Sequence, residues 1–488
     1  MVTEAGQGGR PPLDLLIPLG IAAALSAYRI GAPSLWADEA FSVALVRLGW
    51  APMWDAILAD EANMAPFYVL LRPWLQIGSS EAAIRSLSAL CVVAAVLPIY
   101  GLGLRLFDRT TAGIAALLFA VNAYVIAQGA QEARAYGLVL LCVTTSSYLF
   151  VRAVERPSPA LWISYVAVSV LAIYTHFFAA GVIGAHLLAA LLSRHGRARW
   201  RAVIASMLAI ALLVSPLSLP ILAQAQGRLS WIRPPSPMTL VWAVVDLVGR
   251  GGRLLLVAYA LACGLAVVRW GRRGPRRWSV LFLVAWFALP VLGSFLFSIV
   301  VRPVFVTRFL IVTVPPLALL AAAGIASLRP VALRTAALLV LLALAGRALH
   351  WWYGGRYPKE DWRAAAHVVM ARTLPGDAVV FWKPMMRIPF EHYAGGRRAS
   401  ARWPEPLFPS DPWGTGHTEG SSHSNDLDGW LGRHPVRHPR VWVVLSHEDT
   451  GSAAPWLPTT LETTSCRIYQ RGFTGVRVVL YQLAPCSR

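Results

Sequence analysis

Apolar runs of bilayer-spanning length recur about eleven times before residue 350, at 14–30, 82–106, 111–128, 135–152, 160–176, 177–193, 202–222, 253–269, 279–300, 309–328 and 331–349. A hydrocarbon core needs roughly 20 apolar residues per helix, so this spacing reads as an all-α polytopic membrane protein. Composition agrees: 57% of the 488 residues are hydrophobic and only 14% are charged, with a mean hydropathy of +0.55, too apolar for an ordinary globular protein. The net charge of +20 is carried by Arg residues gathered between the runs. Basic loops held against anionic lipid headgroups account for it, and no aromatic-basic stripe outside the spans calls for nucleic acid.

Charge also orients the chain. With a cytoplasmic N-terminus, one set of loops holds Asp108-Arg109, 152–156, 194–201, the run Arg269, Arg272, Arg273, Arg276 and Arg277, and 329–334. Short Arg-rich loops face the cytoplasm. The alternate set then faces outward: the loop with Asp38 and Glu39, the Gln131-Glu132-Ala133-Arg134 turn, 223–252 and 302–308. The stretch 160–193 reads as one long segment or as two helices meeting at Thr175-His176, and two helices keep the downstream Arg clusters inside. No cleavable signal peptide is expected, because the first apolar stretch ends in Tyr28-Arg29 and not at a small-residue cleavage site.

The first outer loop, 31–81, is too long for a simple turn. Its alternation through Phe41 to Val46 and Trp54 to Leu58 suits short helices lying in the interface, apolar face to lipid. The outer loop 223–252, with Trp231, Pro234, Pro235 and Pro237 ahead of an amphipathic 238–248, resembles it, and together they would roof a cavity. From residue 350 the composition turns to charge, Pro, Gly and His, dividing the chain into a membrane unit, 1–349, and a small extracytoplasmic α/β domain, 350–488. There, 361–373 reads as a helix and 378–382, 440–446 and 476–482 as strands. The piece 414–424 reads as a loop, with His417 and His423 as loop residues and not ligands. Cys91, Cys142 and Cys263 lie inside apolar runs, so only Cys466 and Cys486 are placed to form a disulfide.

Chemistry concentrates on the outward set. Adjacent acids at a bilayer edge are costly unless solvated, paired or functional. Asp38-Glu39 after Trp36 therefore reads either as two solvated loop acids or as a site in which one carboxylate serves as general base and the other binds acceptor, metal or Arg. Glu81 and Arg85, four apart, either pair on one helix face or leave Arg85 projecting into the outer cavity. Arg134 closes either a charged turn or a phosphate site. His176 between apolar runs reads as an interfacial residue or a site residue, and Arg302 and Arg308 break the positive-inside trend on the outer face. Phosphate-loop, zincin and esterase signatures are absent from the sequence.

In order, Trp36-Ala37-Asp38-Glu39, Pro66-Phe67-Tyr68, Glu81 with Arg85-Ser86-Leu87-Ser88, Gln131-Glu132-Ala133-Arg134-Ala135-Tyr136, Thr175-His176 and Thr307-Arg308-Phe309 resemble the bacterial glycosyltransferase family 39-like proteins. These are similar to protein O-mannosyltransferases and lipid A aminoarabinose transferases. The resemblance covers about the first 330 residues; the tail run Tyr357 to Arg363 is less diagnostic. It implies a GT-C fold, a polyprenyl-phosphate-linked sugar donor, an envelope glycan, lipid or protein acceptor, and transfer with inversion on the outer side of the bacterial cytoplasmic membrane. By position, Asp38 matches the catalytic acid and Glu39, its neighbour, is expected with it at the catalytic centre, while Arg85, the membrane-edge Arg, is expected to bind substrate together with Arg134, Tyr136, His176 and Arg308. No cofactor or metal is firmly implied. Relatives often carry Pro-Pro-Leu/Phe-Tyr where this chain has Ala65-Pro66-Phe67-Tyr68, which puts acceptor-side geometry in doubt. The alternatives are a lipid-linked-sugar flippase, which needs ionisable residues at mid-membrane, and a non-catalytic envelope scaffold.

Overall fold

Helix formation follows the apolar runs, and short polar residues punctuate them. The computed structural model describes residues 12–219, 232–271, 274, 276–356, 358–382, 384–395, 403–408, 438–446 and 459–483. Helix α1 (Leu13–Ala27) leads into a first loop that carries α2 (Ala37–Arg47), α3 (Trp50–Ala56) and α4 (Ala65–Trp74). Then come α5 (Glu81–Leu106), α6 (Arg109–Ala120), α7 (Tyr136–Glu155), α8 (Pro159–Thr175) and α9 (Ala179–Leu192). The side chains of Ser80, Asp108 and Ser158 accept from backbone N–H groups at the starts of α5, α6 and α8, so each polar break in the apolar pattern is also a helix cap.

Seven helices of the described residues are long and apolar enough to cross a membrane: Glu81–Leu106, Tyr136–Glu155, Trp200–Leu217, Gly252–Trp270, Arg277–Val300, Thr307–Ala326 and Val331–Tyr353. Leu13–Ala27, Arg109–Ala120, Pro159–Thr175, Ala179–Leu192 and Pro237–Leu247 are shorter apolar helices. The chain is an integral membrane protein. The stretch 160–193 is two helices parted at His176.

Two expectations change. The run 111–128 is not one helix: α6 stops at Ala120 and a π turn follows at Val125–Ala130. Asn122 makes the break, its Oδ1 accepting from Tyr124 N (2.9 Å) and Val125 N (3.1 Å) while its Nδ2 donates to Leu247 O (3.0 Å). The chain beyond it is drawn under cover, so Gln131, Glu132 and Arg134 are buried and not a wet turn. The second change concerns α2, whose apolar face meets protein and not lipid: Leu35, Ala40 and Val43 pack with Ile84, Ala133 and Ile388. Large apolar groups of this loop turn outward instead at Trp50, Trp54 and Leu58 on α3 and its extension, at Leu70 on α4 and at Ile77 after it.

Beyond the bundle, the helix Trp362–Arg372 and strands β1 (Ala378–Phe381), β2 (Glu405–Phe408), β3 (Arg440–Ser446), β4 (Ser465–Phe473) and β5 (Val476–Leu483) form a five-stranded sheet in the order β2-β1-β3-β5-β4. β1 runs parallel to β2 and β3, and β5 antiparallel to β3 and β4. The three expected strands are present. The two unexpected ones are the edges, where half-exposed polar residues and a proline replace the apolar signal. Cys91, Cys142 and Cys263 are free thiols inside helices; Cys466 is disulfide-bonded, and Cys486 lies outside the described residues, as do Trp231, His417 and His423.

Ion pairs mark the two ends of the bundle. At one end Arg109 pairs with Asp14 (2.9 Å), Arg105 with Glu155 (2.7 Å) and Arg276 with Asp108 (3.0 Å). The acidic pair of α2 lies at the other, under the sheet-bearing segment.

Candidate functional site

Trp36 ends the extended approach to α2, and Asp38 and Glu39 occupy its first turn, where the helix dipole favours negative charge. Neighbouring helical residues point about 100° apart. The two carboxylates therefore meet different surroundings.

Glu39 is fully buried. Its Oε1 accepts from Arg85 Nε (2.7 Å) and Ala133 N (2.9 Å), and its Oε2 from Arg85 Nη2 (2.7 Å), Lys359 Nζ (3.3 Å) and Trp36 N (3.4 Å). Burial alone raises a carboxyl pKa, but the charges of Arg85 and Lys359 and the donated hydrogen bonds outweigh it and hold Glu39 down to about 2. Arg85 gives its remaining N–H groups to Ile30 O (2.7 Å), Pro33 O (2.9 Å) and Ser34 O (2.9 Å). A guanidinium has five N–H donors, and all five are committed here. Arg85 is thus closed to a substrate anion and does not project into the outer cavity. Nor does it pair with Glu81, which accepts instead from Arg363 and from Tyr393 Oη (3.0 Å).

Asp38 keeps part of its side chain open, with Oδ2 3.3 Å from Arg308 Nη1. Arg308 belongs to the 3-10 turn Thr307–Thr313, and its guanidinium sits 5.6 Å from the Trp36 ring. Arg134 enters from the buried hairpin tip, donating to Tyr68 Oη (2.9 Å), Ser42 Oγ (3.4 Å) and Glu61 Oε2 (3.2 Å). Its Nε is sealed from solvent and makes no hydrogen bond among the described residues. His176, at the junction of α8 and α9, accepts from Phe178 N at Nδ1 (3.3 Å), which puts its proton on Nε2. That Nε2 is also buried and without a partner among the described residues. Burial, with the charges of Arg134 and Arg308 added, pushes the imidazole down to about 3, so His176 is a neutral donor at physiological pH. Tyr136 stacks at a tilt 6.0 Å from it, in the field of Arg308 and Arg134.

Five expected residues, Asp38, Arg134, Tyr136, His176 and Arg308, therefore meet at one end of the bundle. Glu39 and Arg85 lie directly beneath as a saturated pair. Glu61, Tyr68, Glu132 and Lys359 belong to the same assembly and were not singled out from the sequence. Tyr68 and Glu132 stand inside runs that carry the family resemblance, and Lys359 inside the less diagnostic tail run. Glu61 has no such signal, because its link to Arg134 spans 73 residues. Among the described residues, no three His, Cys, Asp or Glu side chains converge as a metal ion would require.

The site therefore sits at one end of a helical membrane bundle, with the short helices of the first loop beside it and a small α/β unit above. Residues 64–221 match the family described as dolichyl-phosphate-mannose-protein mannosyltransferase. The chain is similar in structure to ArnT from Cupriavidus metallidurans bound to undecaprenyl phosphate, with a TM-score of 0.63 and 12% identity over 96% of this chain and 97% of that one. The apo state of the same protein superposes with a TM-score of 0.62, 11% identity and the same coverage. The oligosaccharyltransferase AglB from Archaeoglobus fulgidus, in complex with an inhibitory peptide and a dolichol-phosphate, aligns with a TM-score of 0.53 and 13% identity over 95% of this chain and 74% of that one. At such identities the shared property is the fold. No curated protein matches the chain at the sequence level.

Proposed function

We propose that the protein is an inverting glycosyltransferase that moves a sugar from a polyprenyl-phosphate-linked donor to an envelope glycan, lipid or protein on the outer face of the bacterial cytoplasmic membrane. The observation that carries this reading is the pairing of a partly open carboxylate, Asp38, with Arg308, beside two buried N–H groups, Arg134 Nε and His176 Nε2, that lack partners among the described residues. Buried donors without acceptors cost about 1–3 kcal/mol each. A bound phosphate group offers acceptor oxygens for such donors. Polyprenyl phosphates bound to two proteins of this fold support the donor class.

In this mechanism Asp38 takes the proton of the acceptor hydroxyl as its oxygen attacks the anomeric carbon opposite the phosphate. The carbon–oxygen bond to phosphate breaks, its electron pair stays on the phosphate, and the charge of Arg134 and Arg308 stabilises the departing anion. Tyr136 and His176 shape the phosphate side, and Glu39 and Arg85 hold α2 in place as positioning residues. Orientation rests on the Arg-rich loops: with these cytoplasmic, eleven spans within 1–349 put the site and residues 350–488 outside.

Membranes containing the protein, given polyprenyl-phosphate sugars labelled in the sugar, should lose label from the lipid to an acceptor. Asp38→Asn should insert normally and transfer nothing. Full activity in that variant would remove Asp38 as base. Label that stays on the lipid while crossing the bilayer would replace transfer by transport.

A further inference from the structure

The mechanism leaves one buried acid of the site unused. Glu132 sits at the hairpin tip, 3% exposed. Its Oε1 accepts from Gln128 Nε2 (2.9 Å), while its Oε2 is sealed from solvent with no hydrogen-bond partner among the described residues. A carboxylate oxygen sealed from bulk solvent and without a protein donor carries a poorly compensated charge, and placing a proton on that oxygen removes it. Charged and titratable groups face Glu132 from every side: Asp38 and Glu39 on α2, Arg85 on α5, Tyr136 on α7, Tyr124 ahead of the π turn, Arg308 on its 3-10 turn and Lys359 before the helix Trp362–Arg372. Burial, opposed by Lys359 and Arg308 and reinforced by Glu39 and Asp38, pushes Glu132 up to about 7.

We propose that Glu132 is a positioning residue that couples donor binding to a proton: the donor phosphate binds at Arg134 and Arg308 with Glu132 protonated, and ionised Glu132 opposes it. The proposal rests on the donor site described above. An anion arriving beside Arg308 weakens the cation that favours ionised Glu132 and adds repulsion of its own. Both effects favour the neutral acid, so a proton is taken up from solution on binding, and by reciprocity affinity falls as pH rises through the Glu132 titration.

The test uses the full chain in nanodiscs and undecaprenyl methyl phosphate as probe. This phosphodiester has no second ionisation, so its charge does not change across the window. Between about pH 6 and about pH 8.5 the wild-type affinity should fall about tenfold, the factor one unit of mutual pKa displacement carries. Glu132→Gln, a neutral isostere, should bind with a flat profile at the low-pH wild-type affinity. Lys359, whose pKa burial lowers, is present in both proteins, so the difference between the profiles reports Glu132. Calorimetry of the wild type near neutral pH in two buffers of different ionisation heat should show net proton uptake, a result that does not depend on the variant folding. Superimposable profiles, or binding without proton uptake, would overturn the inference and leave the donor site standing. Absence of binding by folded wild type at every pH would overturn both.

Discussion

Asp38 and Glu39 are adjacent in the chain and opposite in situation. Glu39 is buried under Arg85 and Lys359 with both oxygens filled, whereas Asp38 faces the site on Arg308. Removing one partner of a buried ion pair leaves the other charge uncompensated. Glu39→Gln should therefore lower stability by about 3–5 kcal/mol, read as detergent-solubilised thermal unfolding, whereas Asp38→Asn should unfold close to the wild type. The pH dependence has a definite sign. Because folding lowers the Glu39 pKa from 4.5 to about 2, its stabilisation is complete above the higher value and is lost as pH falls towards the lower. The gap in unfolding temperature between wild type and Glu39→Gln should hold at pH 5 and narrow at pH values between the two. The candidacy of the acidic pair was legible in the sequence, because acids at a membrane edge stand out. Their division of labour was not, since it depends on an Arg 46 residues away and a Lys 320 away.

Helix against helix, the site depends on close approaches that allow no side chain. A Cβ on Gly137, at the start of α7, would lie 2.5 Å from Ser88 O on α5 and 2.7 Å from Gly129 O. Backbone atoms cannot turn aside, so the helices would have to part. Ser88 Oγ also holds Arg134 O at 3.2 Å, which ties this packing to the phosphate side of the site. Gly137→Ala should cost about 1–3 kcal/mol by overpacking, and transfer should fall with it. Thermal unfolding and transfer rate measured on the same preparation check both. Spans could be read from apolar length; that Ser80, Asp108 and Ser158 cap them is a finding of the structure. The break after Ala120 could not, because Asn122 makes it by reaching Leu247 O, far along the chain.

Taken whole, the molecule closes its site from above with its C-terminal part. Lys359 Nζ donates to Gln131 O (2.7 Å) and Glu39 Oε2, Arg363 reaches Glu81, and Leu35 N donates to Tyr393 Oη (2.6 Å). The α/β unit is thus a structural member of the site. Lys359→Met removes a buried cation bonded to both the hairpin tip and α2, at a cost of about 1.5–3 kcal/mol for charged hydrogen bonds. It should loosen the C-terminal segment, seen as faster limited proteolysis after Val331–Tyr353, and slow transfer. By itself the sequence determined the membrane class, the placement of most spans and the gathering of Arg in the short loops between them, because apolar length and charge segregation are local properties that the bilayer reads directly. Tertiary structure alone decided that α2 packs on protein, that Arg85 is spent on Glu39, and that Glu132 is sealed. Those outcomes depend on which distant segments meet, and no local periodicity carries that information.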